Sequence, residues 1–409
     1  MGRVGRASMN ICVVTTWPPY RDGVALYSAQ LCTHLSKRMN VWVLANRLDG
    51  MEGCVRPGRG GLHVMRVWRR HSLTFPLEIF RHALKVGGHL VHVQHGWLLY
   101  GGVFSIPLFL VMLLLLRLSK PRVITMHTVI GRRARLHSNG LLNFLAKLLI
   151  LFVSSFIVRL ADVVIVHNKL MREALVRGYA PGCRGKVLVI PHGVRRPSYG
   201  NVRPPSVGDS PKILFLGFLR RSKGLEVLIR AFRRVLTEYP NARLFIVGGP
   251  HPHDRKGSSY MRMLKKITLH EGLEGHVAFM GFLDDQALDE LVWASDIIIL
   301  PYVEGEFYET SGSLARVADF HKPIICCRVP KFLGELRDGK ECVMLPSYSA
   351  EELARAVLRV LEDEDLAAGI REGLRRWTRR RRWEIIAESH MKVYQTLLRG
   401  SLKETVFTR

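Results

Sequence analysis

Short runs of β-branched and aliphatic residues alternate with longer stretches of helical periodicity along nearly the whole chain, the pattern of parallel sheets covered by helices on both faces. In the first half the runs predict strands at Asn10 to Thr15, Val41 to Ala45, His63 to Val67, Leu90 to Gln94, Arg122 to His127, Val163 to His167 and Val187 to Ile190. Pro191 to Pro211 breaks the rhythm, being proline-rich without apolar periodicity, and reads as a linker. A second alternation predicts strands at Lys212 to Leu216, Arg243 to Val247, Val277 to Met280, Ile297 to Leu300, Pro323 to Cys326 and Cys342 to Leu345, and the last helical segment is Trp383 to Leu398. The expected organisation is a Rossmann-like domain over residues 1–200, a second over 201–380, and a C-terminal helix within 381–409 that packs back toward the first domain. Doubly wound parallel sheets bind ligands outside the carboxyl ends of their strands, so the site is expected in a cleft that the two domains face.

One stretch departs from this regularity. From Gly96 to Leu116 there is no charge for 21 residues, long enough by length alone to cross a membrane. It lies between two expected neighbours of one sheet, HLVHVQ and RVITMH, and a crossing would put those strands on opposite sides of the bilayer. Two readings stay open. It is a buried crossover helix, or it is a monotopic one whose basic neighbours (Arg117, Lys120, Arg122, Arg132, Arg133, Arg135) meet acidic headgroups. A second apolar stretch, Leu148 to Val158, is too short to span.

Composition narrows the class. A 409-residue chain that is 48% hydrophobic has enough apolar surface for two or three cores, which excludes wholesale disorder. The net charge of +27 implies an anionic partner: a phosphorylated ligand, an acidic lipid surface or nucleic acid. Seven cysteines, odd in number and without C-x-x-C spacing, fit a reduced setting, and MGRVGRASMNICVVTT runs into WPPYRDG as strand and loop rather than as a cleavable signal. A cytoplasmic protein, peripheral on the inner face of the cell membrane, is expected.

The most informative segment is KILFLGFLRRSKGLEVLIRAF, residues 212–232. A buried strand ends at Gly217, a basic loop with Arg220 and Arg221 follows, and Lys223-Gly224 opens a helix whose first amides are free. Such a loop suits a diphosphate, with helix-terminal N–H groups and cations offsetting its charge without a metal. The alternative is an ordinary strand-loop-helix turn with solvated arginines.

This segment resembles the donor-phosphate loop of family 4 glycosyltransferases, retaining enzymes of the two-Rossmann GT-B fold. Other segments agree in order: WPPYRDGVALYSAQLCTHL, TMHTV, ADVVIVHN and VIPHGV in the first half; LFIVGG, VAFMGFLDDQALDELVWASDIIILPY and TSGSLARVADFHKPIIC in the second. The resemblance implies that Lys223 and Arg220 or Arg221 contact the donor diphosphate and His127 the transferred sugar. It implies that Glu309 meets the sugar hydroxyls, with Glu304 and Glu306 close enough to compete, and that the nucleotide lies near Gly217, Gly281, Phe282, Leu283, Ser311 and Gly312. Gly23 matches the second of two glycines that let the backbone approach the phosphate, and Asp22 stands where the first would be. The chain departs from the family pattern at Phe218, where an arginine is usual, and at Arg316, where a ribose-holding glutamate is usual.

Trp17 and His95, each just past a strand, are candidates for the acceptor side. Metal readings are weak: His89, His92 and His95 alternate faces on a strand, HPHD at 251–254 lies in a loop, and Asp363-Glu364-Asp365 sits in a polar inter-helix turn. In GLRRWTRRRRWE, Arg379 to Arg382 flanked by Trp377 and Trp383 suit a phosphate-rich surface; with no nucleic-acid motif beside them, a membrane is preferred.

The expected function is transfer of a sugar from a nucleotide-diphosphate sugar to a lipid-linked or glycan acceptor, with no cofactor or metal required. Two alternatives remain: a sugar-phosphate-using phosphorylase or synthase, which the extra cation Arg316 would favour, and a non-catalytic scaffold that binds polyanions or a bilayer.

Overall fold

The computed structural model describes residues 9–51, 61–134, 136–197, 210–250, 258–303, 305 and 307–400, together with the backbone of Arg56, Pro57 and Gly257. HPHD, Glu304, Glu306, Arg135 and most of the proline-rich linker lie outside them. The chain divides into two compact units, one comprising residues 1–193, 306–310 and 383–409, the other 194–305 and 311–382. The first unit therefore contains a short segment from the later half of the sequence that a division at residue 200 does not anticipate.

In chain order the first unit contains strands β1 (Asn10–Thr15), β2 (Asn40–Asn46), β3 (Arg56–Pro57), β4 (Leu62–Trp68), β5 (Leu90–His95), β6 (Arg122–Met126), β7 (Thr128–Ile130), β8 (Val163–Val166) and β9 (Val187–Val189). The second contributes β10 (Lys212–Leu216), β11 (Arg243–Val247), β12 (Val277–Gly281), β13 (Ile297–Leu300), β15 (Ile324–Cys327) and β16 (Val343–Leu345), while β14 (Phe307–Glu309) belongs to the first. The helices are α1 (Gly23–Leu35), α2 (Phe75–Lys85), α3 (Ser105–Arg117), α4 (Gly140–Leu160), α5 (Lys169–Tyr179), α6 (Leu225–Glu238), α7 (Gly257–His270), α8 (Asp285–Ala294), α9 (Gly312–Val317), α10 (Pro330–Leu333), α11 (Ala350–Glu362), α12 (Glu364–Arg379) and α13 (Trp383–Leu398).

The first unit's main sheet has the order β3-β4-β2-β1-β5-β6-β8-β9, parallel except for the β3/β4 pair. Alternation along β1 decides which helices lie where. Cys12 and Val14 face a core completed by α2, α3, α4 and α5, whereas Ile11 and Val13 face one completed by α1 and α13. Gly193 makes room for the last of these: a Cβ there would lie 2.4 Å from the Trp383 ring.

The second unit's sheet has the order β12-β11-β10-β13-β15-β16, all parallel. Numbered within the unit this is 3-2-1-4-5-6, the doubly wound order, whose direction of winding reverses between β10 and β13. Its ligand crevice is therefore expected where Gly217 and Pro301 follow those two strands.

The apolar stretches differ from their reading in sequence. Gly96 to Leu116 is not one helix: β5 runs into a turn, Gly101 has φ +149, and only Ser105–Arg117 is helical, too short to span. Its inner face, including Phe109, Met112, Leu113 and Leu116, is buried. Leu148 to Val158 instead belongs to the 21-residue α4, started by Asn139, whose side chain accepts from the Leu142 N–H at 3.1 Å. By length and composition α4 is the one helix among the described residues long and apolar enough to cross a membrane.

Candidate functional site

The second unit concentrates glycine and cationic side chains at the carboxyl edge of its sheet. The Gly217 N–H donates to the Val247 carbonyl (3.0 Å), that of Leu219 to Gly249 (2.9 Å), and that of Gly248 to Gly281 (2.7 Å), so the ends of β10, β11 and β12 are tied together. A Cβ on Gly248 would sit 2.0 Å from the Gly217 carbonyl oxygen. Phe218 and the half-exposed Phe282 meet edge to face with ring centroids 6.0 Å apart, while Leu283 packs against the core.

The basic loop folds as a 3-10 turn, Arg221–Lys223, before Gly224 starts α6. Gly224 has φ +70, and a Cβ there would be 1.9 Å from the Pro301 carbonyl oxygen, so only glycine can bring the loop against the end of β13. The Ser222 carbonyl accepts from the Val303 N–H at 3.0 Å, joining the same two segments from the other side. Lys223 thereby reaches the Tyr302 ring, its Nζ 3.5 Å from the centroid, and Lys331 approaches the same ring at 5.2 Å.

Tyr302 is buried, and burial alone would raise its pKa; the ammonium groups of Lys223 and Lys331 and hydrogen bonds with Ser311 and Ser313 outweigh it and leave the phenol below its ordinary value. Ser311 also caps α9, accepting from the Leu314 N–H at 3.2 Å, and Gly312 follows it exposed. A Cβ on Gly217 would touch Ser313 Oγ at 3.3 Å. The structure thus brings Gly217, Lys223, Ser311 and Gly312 to the point where the sheet's winding reverses. Tyr302 and Lys331 join them without having been singled out in sequence. The signal for Tyr302 was present: it lies two residues after the strand that borders the switch point.

The arginines near this edge behave differently. Arg221 is exposed and turns sideways to Glu226 (3.8 Å), the Tyr260 ring and Met263 Sδ. Arg220, which precedes the turn, is partly buried. Arg316 pairs with Asp285 at the start of α8, and Arg195 binds the fully buried Asp289 while approaching Asp285 at 3.9 Å. The cation at 316 therefore has a carboxylate partner within its own unit.

The first unit holds its candidates at the ends of β1, β5 and β6. Asp22, at the position of an expected glycine, caps α1, accepting from the Ala25 N–H (2.5 Å) and from the Thr16 hydroxyl (2.9 Å); burial raises its pKa. A Cβ on Gly23 would meet nothing within 4 Å. Trp17 is half-buried, its backbone N–H held by Asn46 Oδ1 (3.1 Å). His95 does not line an open surface: it is 3% exposed, packed against Trp97 and Phe109, and burial pushes its pKa down to about 3.

His127 belongs to a histidine network. Its Nδ1 is 3.1 Å from His167 Nε2, its Nε2 2.8 Å from the Gln94 side-chain amide, and the Tyr27 ring stands edge-on at 4.7 Å. His167 Nδ1 donates to the Ile190 carbonyl (3.1 Å), which leaves its Nε2 as an acceptor and puts the shared proton on His127 Nδ1. The other His127 nitrogen then offers a lone pair, satisfied when the Gln94 amide turns its NH2 toward the ring. Burial, reinforced by His167 and His192, holds the His127 pKa well below that of a free histidine, and burial lowers His167 to about 3 and His192 to about 4. These imidazoles are neutral at pH 7.

The residue after His127 connects to the last candidate. Strands β7 and β14 pair antiparallel with Thr128 opposite Glu309, and the Thr128 hydroxyl donates to Glu309 Oε2 at 3.1 Å. His127 and Glu309, far apart in sequence, thus flank one residue in the same unit.

The remaining motifs have structural employment. Trp377 and Trp383 are buried rather than displayed, and Arg381 lies over the Trp377 ring at 3.9 Å while pairing with Glu335, so the arginine run is not an aromatic-basic surface. Asp363 caps α12. Among the described residues no group of three or more His, Cys, Asp or Glu side chains is arranged to hold a metal.

Comparisons with known proteins bear on this geometry. Residues 21–196 match the model of Glycosyltransferase Family 4, and residues 202–377 that of Glycosyl transferases group 1. Among curated relatives, the phosphatidyl-myo-inositol mannosyltransferase of Mycolicibacterium smegmatis is 26% identical over 223 residues, 53% of this chain and 54% of that one. The D-inositol 3-phosphate glycosyltransferase of Corynebacterium urealyticum is 24% identical over 249 residues, 58% of this chain and 57% of that one. The chain spans about half the length of the curated relatives it matches. Among solved structures, the sucrose-phosphate synthase of Thermosynechococcus elongatus superposes with a TM-score of 0.75 at 20% identity, covering 96% of this chain and 100% of that one. Anabaena HepE in complex with UDP and glucose gives 0.69 at 15%, covering 95% and 100%. These likenesses show the two-domain GT-B fold.

Proposed function

From the premise that the chain belongs to the family 4 glycosyltransferases, we propose that it transfers a sugar, with retention of configuration, from a nucleotide-diphosphate sugar to a hydroxyl of a lipid-linked acceptor at the cytoplasmic surface of a membrane. The observation that carries this reading is the cationic switch point of the second unit, where Lys223 and Lys331 converge on Tyr302 beside the glycine-lined strand ends. Glycine removes side chains from the path of a diphosphate, and fixed ammonium groups stabilise the charge that grows as the glycosidic bond breaks.

In the proposed reaction the bond from the anomeric carbon to the diphosphate oxygen breaks, the acceptor oxygen bonds to that carbon on the same face, and the departing diphosphate takes the acceptor proton. No side-chain nucleophile is needed. His127, neutral and fixed by His167, and Glu309 would contact the sugar. The lipid acceptor is supported by the name of the mycobacterial relative, a phosphatidyl-myo-inositol mannosyltransferase, and by the apolar α4.

A thermal-shift screen against UDP-, GDP- and ADP-sugars tests the donor assignment. One nucleotide class should stabilise the protein by about 2.7 kcal/mol at a hundred times its dissociation constant. If polyanions stabilise it and no nucleotide sugar does, the protein is a binding scaffold. Phosphorolysis without nucleotide-dependent transfer would assign it to the sugar-phosphate class.

A further inference from the structure

Helix α4 is divided along its length. In its second half Ile150, Val153, Ile157, Val158 and Leu160 are buried in the first unit's core. In its first half, Gly140 to Leu149, no residue is buried, and Leu141, Leu142, Phe144, Leu145, Leu148 and Leu149 expose between 37% and 68% of their surface. Helix α3 packs against α4, and the turn before it leaves Phe104 89% exposed. α3 connects β5 to β6, and α4, after the short β7, completes the crossover from β6 to β8, so their first turns lie toward the carboxyl edge of that parallel sheet, the edge that carries His127.

The occupant of this face is indicated by charge. From Ile79 to Ala161 there is not one Asp or Glu, and beside the free half of α4 stand Arg132 and Arg133, exposed just before it, and Lys147 within it. A second copy in a two-fold contact would set this positive region against itself. An anionic bilayer complements it, taking the apolar side chains below the headgroups and the cations among them. Crossing is excluded by the second half of α4, which is embedded in the core and leads directly into β8. The free half, ten residues long, reaches about 15 Å at about 1.5 Å per residue, ample for an interfacial insertion of about 5 to 10 Å.

We propose that the first half of α4, with the Phe104 turn, is a docking face for an anionic lipid bilayer, entering the boundary between headgroups and acyl chains and holding the carboxyl edge of the first unit's sheet at the surface. This deepens the membrane part of the reading above and rests on it, independently of the donor assignment.

The test is flotation with vesicles of phosphatidylcholine alone and of phosphatidylcholine with phosphatidylglycerol, comparing the native protein with a Phe144→Ser/Leu145→Ser/Leu148→Ser variant. The native protein should float with the anionic vesicles only, and the variant should lose at least about tenfold in partitioning. Phe144→Trp should be quenched by brominated lipid in the anionic vesicles. Equal flotation of the triple variant, or an unquenched Trp, overturns the proposal. So does a native dimer in gel filtration that the triple variant dissolves, since the face would then be covered by a second copy. Thermal stabilisation by nucleotide sugars, measured on the same proteins, separates the two readings. Its absence with flotation intact removes the donor assignment and leaves the docking face; its presence in a variant that floats as well as the native protein removes the docking face alone.

Discussion

Thr128 donates its hydroxyl to the Glu309 carboxylate across 181 residues of sequence, and the two lie opposite each other in the β7/β14 ladder. The contact fixes where the carboxylate points relative to His127, the residue before Thr128. Thr128→Val keeps the shape and removes the donor. It should lower stability by about 1.5 to 3 kcal/mol, the range for a hydrogen bond to a charged group, and reduce turnover without preventing donor binding. Glu309→Gln should lower kcat more than it raises KM. A Glu309→Gln protein with native kcat would show that the carboxylate contributes only to the strand pair.

Lys223 carries the donor assignment. By analogy with loss of one oxyanion donor, Lys223→Ala should remove about 2 to 4 kcal/mol of transition-state stabilisation, about thirtyfold to a thousandfold in rate. Its effect on Tyr302 gives a second readout free of catalysis. The phenol is held below its ordinary pKa because two ammonium groups, with the two serine hydroxyls, outweigh burial. Without Lys223 burial gains ground, and ultraviolet titration should show one tyrosine moving to higher pH. Unchanged turnover together with an unchanged tyrosine titration would mean that Lys223 does not stand over that ring in solution.

Gly224→Ala tests the geometry that delivers Lys223. A left-handed φ of +70 disfavours any side chain, and here the new Cβ would come within 1.9 Å of the Pro301 carbonyl oxygen. Strain of about 1 to 3 kcal/mol is the least expected, because backbone must move to relieve the contact. The second unit should melt earlier and donor binding should weaken with it. Alanine tolerated with full stability and binding would show that the loop does not lie against the end of β13.

Strand positions were legible because buried parallel strands are continuous β-branched runs bounded by turns, as in VVIV at 163–166. The glycine-lined loop after β10 was legible for a related reason: Gly217 and Lys223-Gly224 follow directly from a strand and lead into a helix. Other features depend on partners remote in sequence. Thr128–Ile130 becomes a strand only because residues 307–309 come to lie beside it, and no local pattern announces that. The helix boundary at Ser105 depends on Gly101, where a Cβ would lie 2.9 Å from the His71 nitrogen, whereas hydropathy alone runs smoothly through the turn. The arginine-tryptophan run misled because composition was weighed without phase. Ile370, Leu374 and Trp377 recur at helical spacing and mark the inner face of α12, which leaves Arg381 to lie over a buried ring.

The histidine network predicts how stability depends on pH. Burial depresses His95 and His167 to about 3, and His192 and His390 to about 4, against 6.5 for a free side chain. Below pH 6.5 the unfolded chain therefore binds protons that the folded chain excludes, so unfolding is favoured as pH falls and stability rises with pH across this window. Each such histidine contributes at most about 1.4 kcal/mol per pH unit, and the contribution is fully developed only once pH has fallen to the depressed value. Denaturant midpoints should thus fall steeply from about pH 7 to about pH 5, with the first unit opening first because all four rings belong to it. His390→Phe removes one titrating ring whose Nδ1 otherwise donates to the Ile386 carbonyl, and should flatten the slope even where it lowers stability at neutral pH. A midpoint that is flat or rises on acidification would show that these imidazoles exchange protons freely with water, and the tautomer assigned to His127 would fall with them.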